Sequence, residues 1–234
     1  IKSLDISIPC LEEQTKIANF LTAVDEKIQA LKKKQILLEQ YKKGVMQKLF
    51  SQELRFKDEN GNDFPDWSTK VIGDCLDYEQ PTNYLVSSTE YSDKHSTPVV
   101  TAGKTFILGY TDETSGIFSD GLPVIIFDDF TTATQFVDFP FKVKSSAIKI
   151  LKAKVNSDIK FMYEALQMIN YETGAHGRHW ISVFAGMEIL IPDYKEQTKI
   201  ANFLSSIDKK INHTKTQIEK MQEWKKGLLQ QMFV

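Results

Sequence analysis

Cysteine is scarce in this 234-residue chain, present only as Cys10 and Cys75. Two thiols without a partner pattern exclude a disulfide framework and give no metal or redox motif. Long apolar runs are missing too: none approaches the ~18 residues of a membrane span. The expectation is a soluble protein of a reducing cytoplasm, with no membrane partner. An excess of positive charge is also lacking, since the formal net charge is -2. That balance argues against a generally basic, nucleic-acid-coating surface. An apolar fraction of 41% suits one or two domains with a real core.

The charge is unevenly spread. Residues 1–50 hold 9 Lys+Arg against 6 Asp+Glu, residues 191–234 hold 8 against 5, and residues 51–190 hold 12 against 20. Each end is therefore +3 and the centre -8, so any contact with DNA needs a local basic patch rather than a basic domain.

What the chain does have is a repeat. EQTKIANFL occurs at Glu13–Leu21 and again at Glu196–Leu204, and a shift of 183 positions lays Ile8–Phe50 over Ile191–Phe233 without a gap, with 20 of 43 pairs identical. Both copies carry a helix-start pattern: Ile-Pro, then acids (Glu12 and Glu13; Asp193 and Glu196) where the helix dipole favours negative charge. Seam positions follow at Ile17, Leu21, Val24, Ile28, Leu31, Gln35 and Leu38, and at Ile200, Leu204, Ile207, Ile211, Thr214, Ile218 and Met221. Steps of four and three alternate, as in a coiled coil. The next apolar positions, Tyr41 and Trp224, come after a step of three, which predicts a slip of the heptad in both copies. About 40 helical residues make a rod of roughly 60 Å. Its apolar stripe needs a partner, and the simplest one is the other copy, paired antiparallel within the chain.

In the repeat register Ser3–Ile8 (SLDISI) takes the place of Gly186–Ile191 (GMEILI). The expectation is a fragment: residues 1–9 close a preceding domain, 10–50 form one helix, 51–191 a globular domain, and 192–234 the second helix. Residues 51–70 read as a polar linker, with a turn at Glu59-Asn60-Gly61-Asn62 and Trp67 packed on the core. Short strands are predicted at Lys70–Ile72, Thr97–Val100, Thr105–Tyr110, Leu122–Phe127, Thr134–Val137 and Phe141–Leu151, and a helix at Asp158–Ile169. The fold class is α+β, with a mostly antiparallel or mixed sheet.

Four stretches could carry chemistry. Gly103-Lys104-Thr105 lacks the glycine that a phosphate loop needs five positions earlier, where Pro98 stands, so it reads as a hairpin turn whose Lys104 could reach a DNA phosphate. Asp128-Asp129 ends the apolar run PVIIF and is either a strand-end turn or a carboxylate pair of a metal-dependent nuclease. Phe141–Lys149 (FKVKSSAIK) alternates, placing Lys142 and Lys144 on one face, either solvated or against phosphates. Thr173–Ser182 (TGAHGRHWIS) holds His176, Arg178 and His179 in a loop able to donate to base edges or phosphates, Arg pairing guanine bidentately. A packed structural turn is the other reading. Metal binding by the two histidines lacks an acid or cysteine at ligand spacing.

The paired IPxxxEQTKIANFL blocks, each followed by an aspartate (Asp25, Asp208) and a Lys-rich helix, resemble the conserved regions of specificity subunits of type I restriction-modification enzymes. DWSTKVIGD, VIIFDDFTTATQFVDFPFKVKSSAIKIL and GRHWISVFAGMEILIP look like a target recognition domain of that family. The resemblance implies a non-catalytic subunit of a bacterial or archaeal cytoplasm that reads one half of a bipartite double-stranded DNA site. The helix pair would act as a ruler for the unread spacer. It also implies docking of methyltransferase subunits, which bind S-adenosylmethionine, and of ATP- and Mg-using restriction subunits, with no cofactor or metal in this chain. The exposed repeat residues Gln14, Lys16, Asn19, Gln197, Lys199 and Asn202 are the candidates for methyltransferase docking. A rival from another class is a coiled-coil module that binds only protein.

Overall fold

The computed structural model describes residues 8–171 and 177–232. In chain order the elements are α1 (Leu11–Phe50), β1 (Ser68–Val71), α2 (Ile72–Cys75), β2 (Leu76–Glu79), β3 (Thr97–Val100), β4 (Ile107–Thr111), β5 (Val124–Asp128), β6 (Thr134–Val137), β7 (Lys142–Val143), β8 (Ile148–Ala153), α3 (Ile159–Met168), α4 (His179–Ser182), β9 (Glu188–Ile191) and α5 (Tyr194–Met232). Two compact units result, a helical one ending at Val45 and resuming at Leu204, and an α/β one from Met46 to Phe203. Among the described residues no helix is long and apolar enough to cross a membrane.

The helical unit obeys the heptad. Val24, Ile28 and Leu31 are buried on α1, as are Leu204, Ile207, Ile211, Thr214 and Ile218 on α5. Burying each such aliphatic side chain contributes about 1.5–3 kcal/mol, before the entropy of ordering it. Ion pairs fix the direction: Asp25 accepts from Lys225 at 2.6 Å, Glu39 lies 3.6 Å from Lys215, and Lys42 reaches Asp208 at 2.7 Å. As the number rises on one helix it falls on the other, so the pair is antiparallel. The first and last of these bridges are images of each other under the 183-residue shift.

The predicted heptad slip does not occur. Tyr41 and Trp224 stay about half exposed, and Trp224 stacks edge-on against Phe20 with centroids 5.9 Å apart. The seam runs instead through Lys42, whose side chain is largely covered while its ammonium pairs with Asp208, and on to buried Val45. A lysine snorkelling along the seam looks polar in sequence and hides the step of four.

The α/β unit contains a four-stranded sheet in the order β2-β8-β5-β6, antiparallel throughout, a three-stranded sheet β4-β3-β7 in which β3 and β7 run parallel, and the antiparallel pair β1-β9. Strand β5 is the centre: Val124 through Phe127 are fully buried, as a continuous apolar strand should be. Around it pack Val100, Phe118, Phe141 and Ile150. Helix α3 is capped by Asp158, which accepts from the N–H groups of Lys160 and Phe161 at 2.9 Å, and buries Phe161, Met162, Ala165 and Leu166. The stretch expected as one strand from Phe141 to Leu151 is two, β7 and β8, in different sheets. Ser145 makes the break, its hydroxyl accepting from Ala147 N–H at 3.1 Å and its carbonyl from Ile148 N–H at 3.2 Å.

The second copy of EQTKIANFL holds this unit together. Glu196 is fully buried and accepts from Arg55 Nη2 at 2.8 Å, Arg55 Nε at 3.3 Å and Trp67 Nε1 at 3.2 Å. Gln197 is buried too: its Oε1 accepts from Asp158 N–H at 2.9 Å, and its Nε2 donates to the carbonyls of Pro192 at 3.0 Å and Asn156 at 3.3 Å. Lys199 donates to the Lys57 carbonyl at 2.7 Å and lies over the Phe64 ring. Gln197 and Lys199, expected at a partner interface, are thus occupied inside the chain. In the first copy Glu13 is exposed, and among the described residues Lys16 pairs with Glu12 at 2.7 Å and Gln14 keeps the helix-start bond to the Pro9 carbonyl at 2.7 Å. Glu196→Ala is expected to lower stability by about 3 kcal/mol, because it leaves the Trp67 indole N–H without its acceptor and takes the buried carboxylate from Arg55, which keeps only the Phe64 and Pro65 carbonyls and the exposed Asp66. Glu13→Ala should change it by less than about 0.5 kcal/mol. Denaturant unfolding of both variants measures the contrast.

Candidate nucleic-acid interface

The sequence-predicted DNA residues divide sharply. Lys142 is 3% exposed, its ammonium 2.9 Å from the Glu113 carboxylate and donating to the Ser115 carbonyl at 2.7 Å. This bond holds the Glu113 carboxyl below its usual range, and the lysine is a structural cation rather than a phosphate contact. The sequence expectation of Lys142 and Lys144 on one solvated face therefore fails: Lys144 alone is exposed, just past the end of β7. His179 is buried, with Nδ1 3.2 Å from the Tyr171 hydroxyl and its N–H donating to the Asp129 carbonyl at 2.9 Å. It packs the loop and is not free to meet a base. Lys104 and Arg178 are exposed. His176 lies outside the described residues.

Asp128 and Asp129 are likewise structural. Asp128 Oδ1 accepts from the N–H groups of Phe130 at 3.0 Å and Thr131 at 2.8 Å, an Asx turn at the strand end. Asp129 is buried; its Oδ1 accepts from Trp180 N–H at 2.8 Å and its Oδ2 faces the buried Lys149 ammonium at 3.3 Å. Among the described residues no three His, Cys, Asp or Glu gather as a metal site.

The same bonds assemble a surface. The turn after β5 reaches the segment before β8, where Asp129 N–H donates to the Ala147 carbonyl at 3.0 Å. It reaches α4 through Asp129 and Trp180. Lys144 N–H donates to the Val100 carbonyl at 3.2 Å, and Gln135 Nε2 to the Gly103 carbonyl at 3.3 Å, tying in the β3–β4 loop. Four segments, 101–106, 129–134, 144–147 and 177–182, therefore meet at one end of the sheets. They bring together Lys104, Lys144 and Arg178 with the exposed Thr105, Thr131 and Ser146 and the half-exposed Phe130. In an acidic unit this is a local patch of cations and hydroxyls, the donor set that phosphates and base edges accept from. Phe130 and the role of Asp129 as the tie were not anticipated; a lone Phe between two acids and two threonines at a strand end was the available signal.

A family model described as the type I restriction modification DNA specificity domain matches residues 1–40 and 65–223. The chain belongs to this family. An Escherichia coli relative, the type I restriction enzyme EcoR124I/EcoR124II specificity subunit, is 48% identical over 126 residues, 52% of this chain and 31% of that protein. The putative type I restriction enzyme MjaX specificity subunit of Methanocaldococcus jannaschii is 26% identical over 258 residues of alignment, covering 98% of this chain and 58% of the relative. The fold matches a crystal structure of the S subunit of a type I restriction-modification system from M. genitalium, with a TM-score of 0.71 at 16% identity over 96% of this chain and 61% of that one. As a specificity-domain chain it thus spans at most about three-fifths of these relatives.

Because Asp129 ties the β5–β6 turn to α4, Asp129→Ala should leave Trp180 N–H without its acceptor and the buried Lys149 ammonium, which donates to Gln80 Oε1 at 3.0 Å, without its counter-charge. The expected loss is about 3–5 kcal/mol of stability. Lys149→Met together with Asp129→Asn, which removes both charges, should recover most of it. Thermal unfolding of the two variants checks the difference.

Proposed function

We propose that this chain is a non-catalytic DNA-reading subunit of a type I restriction-modification complex, recognising one half of a bipartite double-stranded site. The observation that carries the reading is the convergence of Lys104, Lys144 and Arg178 on one end of an otherwise acidic α/β unit. In this role Lys104 and Lys144 neutralise phosphates and fix the register, and Arg178 supplies a planar, bidentate donor for a guanine. Asp128 and Asp129 are committed to backbone N–H groups and Lys149, which disfavours the nuclease reading. Methylation and cleavage fall to partner subunits that bind S-adenosylmethionine and ATP with Mg, in the cytoplasm. The antiparallel helices set the distance between two half-site readers.

The repeat acquires a sharper role. Glu196, Gln197 and Lys199 bind the first turns of α5 into the α/β unit, so the identical and exposed Glu13, Gln14 and Lys16 would bind a second domain of similar build in the same way, Glu13 accepting an arginine and an indole. Asn19 and Asn202, exposed in both copies, remain the equivalent pair for methyltransferase subunits. In the reconstituted complex Arg178→Ala should weaken cognate binding by about 1–3 kcal/mol and relax one position of the site. Lys104→Ala with Lys144→Ala should weaken all DNA alike and flatten the slope of log K against log salt by about 2. Titrations of cognate and scrambled duplexes at several salt concentrations separate these effects. Binding by the native complex without sequence preference would favour the protein-only module.

A further inference from the structure

Phe130 is an anomaly in its surroundings. Four consecutive residues of β5, ending at Phe127, are sealed from solvent, yet three positions on a phenyl ring is held 46% exposed. The ring is not on a loose loop. Asp128 Oδ1 accepts from the Phe130 and Thr131 N–H groups, the Asp128 carbonyl accepts from Thr132 N–H at 2.9 Å, and Asp128 N–H closes the turn on the Ala133 carbonyl at 2.9 Å. The preceding residue, Asp129, is tied by its N–H to Ala147, by its carbonyl to His179 and by its carboxylate to Trp180 and Lys149. Thr132 completes the turn at φ +59°, a left-handed conformation that a β-branched residue takes only where its surroundings impose it. Backbone strain and a buried ion pair are thus spent on presenting one apolar ring to solvent.

The neighbours of the ring say what it meets. Thr131 is exposed beside it, and the loop carrying exposed Arg178 is joined to the same turn by the His179–Asp129 backbone bond. An exposed hydroxyl and phenyl on one turn, with a guanidinium on the segment bonded to it, suit the edge of a base-pair step, where acceptors alternate with the one apolar group a major groove displays, the thymine 5-methyl. A ring carried on a backbone already fixed in its turn bears on such a methyl without the cost of ordering the loop on binding. We infer that Phe130 is a specificity residue of this chain, making the apolar contact to the 5-methyl of one thymine in the recognised half-site. This rests on the DNA-reading role proposed above.

The test uses the complex assembled with its methyltransferase subunits and a cognate duplex in which each half-site thymine is replaced in turn by deoxyuridine, which removes only the methyl. For the native chain one replacement is expected to weaken binding about fourfold, the worth of one buried methyl group. Phe130→Ala should bind the unmodified site correspondingly less well and be indifferent to that replacement, while Phe130→Leu, still apolar, should retain the sensitivity. Site-specific binding by the native complex with the same uridine sensitivity in Phe130→Ala would overturn the inference and leave the DNA-reading role standing. A loss in Phe130→Ala with no uridine-sensitive position would overturn the methyl contact. Absence of any sequence preference in the native complex would remove the DNA-reading role itself, and this inference with it.

Discussion

The arrangement depends on one buried carboxylate. Glu196 sits without solvent at the start of α5 and collects the Arg55 guanidinium and the Trp67 indole, while the neighbouring Gln197 bonds the backbone N–H of Asp158, the cap of α3. The linker after α1, the first strand's approach and the cap of α3 are thereby fixed to one helical turn. A buried charge is tolerated there only because its acceptor sites are filled, and leaving any of its donors stranded is costly. In the first copy the equivalent Glu13, Gln14 and Lys16 are exposed, while the seam positions Ile17 and Leu21 are half-buried.

From that seat the sheets place their loops. The sealed strand β5 ends at Asp128, and the next residue turns inward to pair with Lys149 and to hold Trp180. Such a buried pair brings little net stability over an apolar pair; what it achieves is position, because it holds Asp129 against β8 while the same residue accepts from the Trp180 and His179 N–H groups of the segment bearing Arg178. The acidic composition of the unit is compatible with DNA contact for the same reason. Some cations elsewhere are neutralised in place, as Lys142 is by Glu113 and Lys152 by Glu79, while Lys104, Lys144 and Arg178 stand exposed on the joined segments.

How legible this was in sequence follows from how local each signal is. The repeat, the antiparallel helices and the α+β class were readable, because heptads and strand alternation are local patterns that burial simply obeys. The step at Lys42 was misread, since a seam lysine is recognisable only with its acid partner Asp208 in view. Lys142 looked like a solvated face because alternation says which residues share a side, not which side is covered. Gln197 and Lys199 looked free because helix packing makes no demand on them; their partners, Asp158, Lys57 and Phe64, are supplied by tertiary structure. The cationic end was half legible: Lys104, Lys144 and Arg178 were named individually, but only the hydrogen bonds among four loops join the segments that carry them.

Hydrogen–deuterium exchange on the assembled complex, with and without its cognate duplex, tests that convergence most directly. The account predicts that DNA slows exchange together in segments 101–106, 129–134 and 144–147 and in residues 177–182, leaving the Glu196 seat unchanged. Protection confined to other faces of the α/β unit, with these four segments exchanging as they do without DNA, would contradict it.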